Sequence, residues 1–507
     1  MKNMKLNQNI LADFFKSNMV LPLNKDFKLG GKIKPNEEVN VTINGQEYKT
    51  VADQKGNWKI VISAVSDEQT VATICVQTQH RKQTIDNIRF GKVYLLSGQS
   101  NIEYRLKDEA HFKEIQAELR NKQYRDLYYY NVPQVDYIDP DTKEVKPKGI
   151  HLEDWHEINA ENCAYMSAVG FYMIKSMRDH GVTGPLAVVD CFKGGTSASV
   201  WIKKEDLARD AELNEKFLVK YHEEIAGKTW QDFEKETDNY NQVVEKHNQD
   251  LAKYLKMHPD TSLSTAKNIV GHTPWPPPAR PDLFTRPCGL HETMMSQVKY
   301  GVFNGMVWYQ GENDTDRAEQ YHKLLPLLIQ TWRRELKDPS LPVKLIQLPG
   351  YADYPEDSAA LIRQVQLETA RKMPEVDLVS FIDGGEEHNI HPTNKKIMGE
   401  RLGRICTGND YLGTPYVEKA NYENGTLALK IARSEQLKLK RKTIFEYIRN
   451  NQRHQIEVSE NNISGNQIQL PIKEKPDEIL YGYANFPKDI GLYNELDYPV
   501  SPFRMKV

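Results

Sequence analysis

The sequence predicts an α/β fold, a parallel sheet with helices on both faces, flanked by an N-terminal and a C-terminal β domain. Three observations predict it. Apolar runs at 93–96, 185–189, 305–309, 343–348 and 377–382 alternate with polar-apolar segments of helical length; such alternation makes a parallel sheet covered on both sides. Residues 19–90 instead show short alternating runs broken by turn residues, and the last hundred residues return to that grammar. The chain of 507 residues is also too long for one hydrophobic core; about 150 residues per domain gives roughly three.

The N-terminal β domain is placed at 12–90. Alternating runs at 39–43 and 47–51 enclose Asn44-Gly45, and Gly56-Asn57 precedes a run at 58–63. Asn-Gly between alternating strands signals a hairpin, because its primed turn needs φ > 0 at both central residues. The α/β domain follows at 91–408. Within it, residues 203–270 read as an inserted helical hairpin, since Trp230, Phe233, Tyr240, Val244, His247, Leu251 and Tyr254 recur at spacings of mostly three and four. The hairpin runs into Thr273-Pro274-Trp275-Pro276-Pro277-Pro278, whose fixed φ and missing N–H groups exclude helix and central strand. A last helix at 394–405 reaches Gly408, and the C-terminal β domain occupies 409–507, with strands from Tyr411 onward. The lysine-rich stretch 437–442 reads as a solvated strand face.

Composition narrows the function. Hydrophobic residues make up 39% and charged residues 27%, a globular balance. The 67 basic and 70 acidic side chains leave a net charge of −3, so no global field favours nucleic acid or an anionic membrane. No run approaches the ~18 apolar residues of a membrane span. Residues 1–15 are interrupted by Asn7, Gln8, Asn9 and Asp13 and lack the apolar stretch of a secretory signal; the expected location is the cytoplasm, or the periplasm or exterior if a signal was removed. Five cysteines form no CxxC pair and read as reduced core thiols. No phosphate-binding or dinucleotide loop occurs; the sequence implies no cofactor and no metal, and leaves the oligomeric state open.

The chemistry concentrates at the ends of the predicted parallel strands, where open α/β sheets bind ligands. The run 93–96 leads into Ser97-Gly98-Gln99-Ser100-Asn101. A serine in that turn either caps the next helix or acts as a nucleophile. Asn389-Ile390-His391-Pro392 follows the run ending at Ile382, so His391 reaches the same edge and can supply the base an alcohol requires. Gly194-Gly195-Thr196 and Tyr309-Gln310-Gly311-Glu312-Asn313-Asp314 end two further strands. The backbone of Gly195, the side chain of Asn313 and the N–H of Ser100 could form an oxyanion hole, with Gln310 a competing donor.

In order along the chain, these four segments resemble the four blocks of the SGNH hydrolase superfamily, and more narrowly the sialate O-acetylesterases among the carbohydrate esterases. The resemblance rests on Ser-Gly-Gln-Ser-Asn at 97–101, Gly-Gly-Thr at 194–196 with Trp201, Trp-Tyr-Gln-Gly-Glu at 308–312 and Ile-His-Pro at 390–392. It implies a flavodoxin-like three-layer catalytic domain and a serine esterase acting on an O-acetylated carbohydrate, sialate or acetylated plant polysaccharide such as acetylxylan. Ser100 would attack the acetyl carbonyl and His391 would carry the proton. The chain departs from the family at the triad acid: the positions three and two before the histidine hold His388 and Asn389. Glu312 is the first substitute, because resembling acetylxylan esterases use a glutamate of that block beside the histidine, and Glu386 is the second. For a sialate carboxylate the candidate partners are Arg89, Arg105, Lys193 and Arg280. The reading from another class is a carbohydrate-binding protein on a degenerate esterase scaffold.

Overall fold

The computed structural model describes residues 9–121, 124–142, 145–147, 154–408 and 413–507. The start of the N-terminal segment, the boundary at 409 and Tyr411 lie outside the described residues. Its centre is a seven-strand path in the spatial order Trp155–Glu157, Leu127–Asn131, Leu186–Phe192, Lys82–Gly98, Gly305–Tyr309, Val343–Gln347, Val376–Ser380. All pairs are parallel except the edge strand Trp155–Glu157, which runs antiparallel. The mixed α/β architecture with a largely parallel central sheet is the expected one.

Register separates the two faces of the sheet. Leu96 sits opposite Val307 and Ser97 opposite Trp308, so Leu96 and Trp308 project to opposite sides. On the Leu96 side, Gly170 of the helix Ala168–Asp179 lies against the leucine side chain. That helix packs on Lys396–Thr407, where Gly399 and Gly403 admit backbone contact: a Cβ at Gly403 would stand 2.4 Å from the Met173 carbonyl oxygen. On the other side Trp308, Trp332 and Trp201 cluster with centroids 6.0–6.4 Å apart, joining the helix Ala318–Leu336 to the sheet.

The strand Lys82–Gly98 is continuous across residue 90, where the sequence reading sets a domain boundary. Its first half pairs antiparallel with Ala72–Gln77 in the N-terminal β region, and its second half is the central parallel strand. No proline interrupts it, and Gly91 allows the close approach of the Pro185 carbonyl. The hairpin at Asn44-Gly45 forms with φ of 45° and 87°. The strand Asn57–Ile62 pairs with Phe27–Lys32.

Beyond the sheet, the chain between 204 and 270 is a series of helices dominated by Trp230–Met257. The C-terminal region holds two four-stranded antiparallel sheets. Buried hydrogen bonds fasten it to the α/β core: Gln347 Nε2 donates to Ser501 Oγ at 2.8 Å, and Tyr493 donates to Asp383, itself clamped by Arg401. Lys438–Leu439 pairs with Leu492–Tyr493, and the Lys438 and Lys440 ammonium groups meet Asp497. The five cysteines are all unpaired, and Cys163, Cys191 and Cys288 are buried. Among the described residues, no helix is long and apolar enough to cross a membrane.

Candidate active site

The chain leaves the central strand Lys82–Gly98, crosses to Leu127–Asn131, returns beside the central strand at Leu186–Phe192 and then passes to its other side at Gly305–Tyr309. The strand order therefore reverses about Lys82–Gly98, and the loops after strands on either side diverge to open a crevice. Ser100 begins a short helix at that point. Gly98 makes the turn possible: its φ is +138°, and a Cβ there would lie 2.0 Å from the Tyr309 carbonyl oxygen.

Ser100 Oγ lies 2.8 Å from His391 Nε2, and both residues are half-buried. The imidazole pKa is lowered to about 4, first by burial and then by the positive charges of Lys395 and Lys267. At neutral pH the ring is uncharged, and in the tautomer that carries its proton on Nδ1 the Nε2 atom is free to accept from the serine hydroxyl.

Neither acid candidate touches the ring. Glu312 is fully buried and its Oε1 accepts from Asn101 Nδ2 at 2.6 Å, while Oε2 has no partner. Asn101 Nδ2 also donates to the carbonyl oxygen of Ile390, the residue before the histidine, at 2.9 Å. Lys395 Nζ completes the cluster by donating to Asn101 Oδ1 at 2.6 Å. Burial pushes the Glu312 carboxyl up, and burial pulls the Lys395 ammonium down to about 7 against the charges of Glu312, Glu386 and Glu109. The expected direct orientation of His391 by Glu312 is thus replaced by a relay: a carboxylate grips the residue after the serine, and that residue grips the histidine loop. The physical reason is that Asn101, facing inward from the first turn after the strand, reaches Glu312 before the imidazole does.

Glu386 acts on the same loop by another route. Its carboxylate accepts from the Thr393 N–H at 2.7 Å and from Asn389 Nδ2 at 2.9 Å, and Asn389 Oδ1 accepts from the His391 N–H at 3.1 Å. The asparagine that stands where an acid was sought therefore braces the histidine backbone. His388 turns away to Asp353.

The two glycines stand beside the serine. A Cβ on Gly194 would meet Ser100 Cβ at 3.5 Å, and Gly195 adopts φ +70°. The Gly194 N–H is already given to Glu103 Oε2 at 2.6 Å. Asn313 is half-buried, and its backbone N–H donates to Gln99 Oε1, fixing it one residue from the serine. Gln310 does not compete: its amide nitrogen is spent on Thr196 O at 3.0 Å and Asp314 Oδ2 at 2.7 Å, deep in the core. Asp314 also accepts from Ser197 Oγ and the Ala198 N–H, tying the third block to the second.

An open cleft of about 500 Å³ reaches the site at Glu312 and Asn313 and is further bordered by Trp275, Tyr221, Lys220 and Arg280. Arg280 is paired with Asp282, Lys193 with Asp136 and Arg105 with Glu103; Arg89 donates to Asn87. Among the described residues no group of three or more His, Cys, Asp or Glu side chains could hold a metal ion.

Asn101 ends the Ser-Gly-Gln-Ser-Asn segment and Lys395 lies at the start of the helix expected at 394–405, and the sequence assigns neither a role. From sequence, Trp275 has only a place in a segment that can be neither helix nor central strand, although its indole N–H donates to Asn313 Oδ1 at 3.2 Å. A lone tryptophan among prolines at 274–278 is the one signal the sequence carries for it.

Residues 283–407 match the family described as carbohydrate esterase, sialic acid-specific acetylesterase; the segment holds the third and fourth blocks. No curated protein matches the chain. Among solved structures, a carbohydrate acetylesterase from Xanthomonas citri superposes with a TM-score of 0.73 at 21% identity, covering 98% of this chain and 99% of that one. This shows the shared fold. A family two carbohydrate esterase from Clostridium thermocellum covers 76% of this chain and 90% of its own at 10% identity, with a TM-score of 0.27. An acetyl xylan esterase from the rumen bacterium Butyrivibrio proteoclasticus covers 76% and 87% at 9% identity, with a TM-score of 0.25.

Proposed function

We propose that this chain, whose residues 283–407 carry the carbohydrate esterase family match, is a serine esterase that removes O-acetyl groups from carbohydrates through an acyl-enzyme. The observation that carries the reading is the 2.8 Å contact between Ser100 Oγ and His391 Nε2 at the reversal point of the sheet, since a hydroxyl becomes a competent nucleophile when a neutral base stands within hydrogen-bond reach.

In this mechanism Ser100 Oγ attacks the acetyl carbonyl as His391 Nε2 takes its proton. The tetrahedral oxyanion accepts hydrogen bonds from the Ser100 N–H, the Gly195 N–H and the Asn313 side-chain amide. The imidazolium then protonates the departing sugar oxygen, which leaves as the free hydroxyl, and water, activated by the same ring, releases acetate. Glu312 and Glu386 serve as positioning residues, holding the histidine loop through Asn101 and Asn389.

The family description favours an acetylated sialate as substrate. Acetylxylan or another acetylated polysaccharide is the second reading; of the cations at the cleft Arg280 is paired with Asp282, while Lys216 and Lys220 border it as well.

Ser100→Ala should abolish acetate release from 4-nitrophenyl acetate and block fluorophosphonate labelling while leaving thermal unfolding unchanged. Full turnover in that variant would refute the nucleophile. A wild-type protein that neither labels nor turns over but binds glycan would establish the carbohydrate-binding alternative. Acetate release measured across acetylated sialosides, acetylxylan and small acetylated sugars ranks the substrates.

A further inference from the structure

Apart from the charge of Lys267 near His391, the helical insertion supplies no group to the reaction as proposed, and its longest helix adds little to the core: of the 28 residues of Trp230–Met257, Phe233 and Leu251 are the buried ones. Two residues on one face of this helix nevertheless grip the proline-rich loop. Tyr240 donates its hydroxyl proton to the Pro274 carbonyl oxygen at 2.8 Å, and Thr237 Oγ1 accepts from Arg280 Nη1 at 2.9 Å. Residues three apart share a helix face, so the loop is held on both sides of Trp275.

The held tryptophan lies against the oxyanion donors. A Cβ at Gly195 would stand 2.6 Å from Trp275 Cζ2, so the indole edge covers that glycine closely. The ring lies beside Phe284 at 6.3 Å, and Nε1 donates to Asn313 Oδ1 at 3.2 Å. An indole nitrogen can only donate. The Asn313 oxygen must therefore face Trp275, and its NH₂ must face the other way. The backbone of Asn313 is fixed on both sides, its N–H bonded to Gln99 Oε1 at 3.1 Å and its carbonyl accepting from Arg317 Nη2 at 2.9 Å. The orientation of the side-chain amide is the freedom left, and Trp275 is the group that sets it.

We propose that Trp275 is a positioning residue for catalysis: its indole N–H locks the Asn313 amide with the NH₂ turned toward the acyl oxygen, and the helical insertion serves the reaction by holding Trp275 there. This rests on the reading of Asn313 as an oxyanion donor. Without the indole, the amide is free to present its oxygen, an acceptor that repels a developing oxyanion.

The test is a double-mutant cycle on 4-nitrophenyl acetate hydrolysis, a substrate too small to need the outer cleft. Asn313→Ala should lower kcat/KM by about 10²–10³. Trp275→Phe, which keeps the ring and removes the N–H, should lower kcat by about tenfold with KM nearly unchanged, and should cost nothing further in the Asn313→Ala background. Tyr240→Phe releases the loop from a distance and should show the same pattern at about two- to fivefold, so a folding defect at residue 275 does not leave the inference unanswered. Equal losses in both backgrounds, or no loss in the wild-type background for either substitution, would overturn it. If Asn313→Ala is itself silent while Ser100→Ala is dead, the esterase reading stands and the role of Trp275 falls together with that of Asn313.

Discussion

Replacing Glu312 by Gln separates a carboxylate that works on the imidazole from one that works on its scaffold. Glu312 Oε1 accepts from Asn101 Nδ2 at 2.6 Å, and Gln preserves that acceptor; the new NH₂ would take the place of Oε2, which has no partner. A charge-assisted hydrogen bond becomes a neutral one, a change of about 1 kcal/mol, and an unpaired buried donor costs about 1–3 kcal/mol. Against this, the variant no longer holds a carboxylate that burial already disfavours. Net stability should change by no more than about 2 kcal/mol. The rate should fall by about tenfold, 1.4 kcal/mol, because the carboxylate reaches His391 only through Asn101 and the Ile390 carbonyl. A triad acid bonded to the ring is worth about 10⁴ in other hydrolases. The assay is kcat/KM for 4-nitrophenyl acetate across pH, beside a thermal melt. A loss near 10⁴ in a folded Glu312→Gln variant would show that the carboxylate bears on the ring itself and refute the relay.

The acid limb of kcat/KM should fall near pH 4, because neutral His391 is the active form and its pKa is held down to about 4 by burial first and by Lys395 and Lys267 after it. Activity is therefore present above that value and lost as pH drops through it. Lys395→Met removes one of those cations and should move the limb upward, short of the ordinary 6.5 because burial remains; a limb that stays in place or moves down would contradict this assignment of causes. Gly98→Ala should lose activity together with several kcal/mol of stability or fail to fold, since a Cβ would meet the Tyr309 carbonyl oxygen at 2.0 Å on a backbone of φ +138°; a stable, active variant would mean that the turn before Ser100 is not the strained, crowded one described.

The alternation of apolar runs with helical segments foretold the parallel sheet because burial on both faces writes itself into consecutive residues, as in Leu186–Phe192, where every side chain is buried. The hairpin at Asn44-Gly45 was legible for a similarly local reason, the left-handed backbone its turn demands. Ser100 and His391 could be singled out because each ends or follows a strand in a short polar segment, and parallel strands bring such segments to one edge.

The triad acid was not legible. Glu312 and Glu386 both reach the histidine loop through asparagines, but which atom a carboxylate meets depends on displacements of two or three ångströms between elements. Asn101, 289 residues from Ile390, intercepts the first, and Asn389 and Thr393 take up the second. Gln310 and Asn313, three residues apart, looked interchangeable as donors; the turn sends one into the core and the other to the cleft. The continuity of Lys82–Gly98 through two sheets and the reach of Trp275 to Asn313 were likewise hidden. By itself, then, the sequence determined the strand and helix grammar and the residues able to do chemistry, since both are properties of neighbouring positions. Which polar atoms meet is settled in the folded chain, because hydrogen bonds hold over about 3 Å and the partners lie on segments that become neighbours only after the sheet has closed around them.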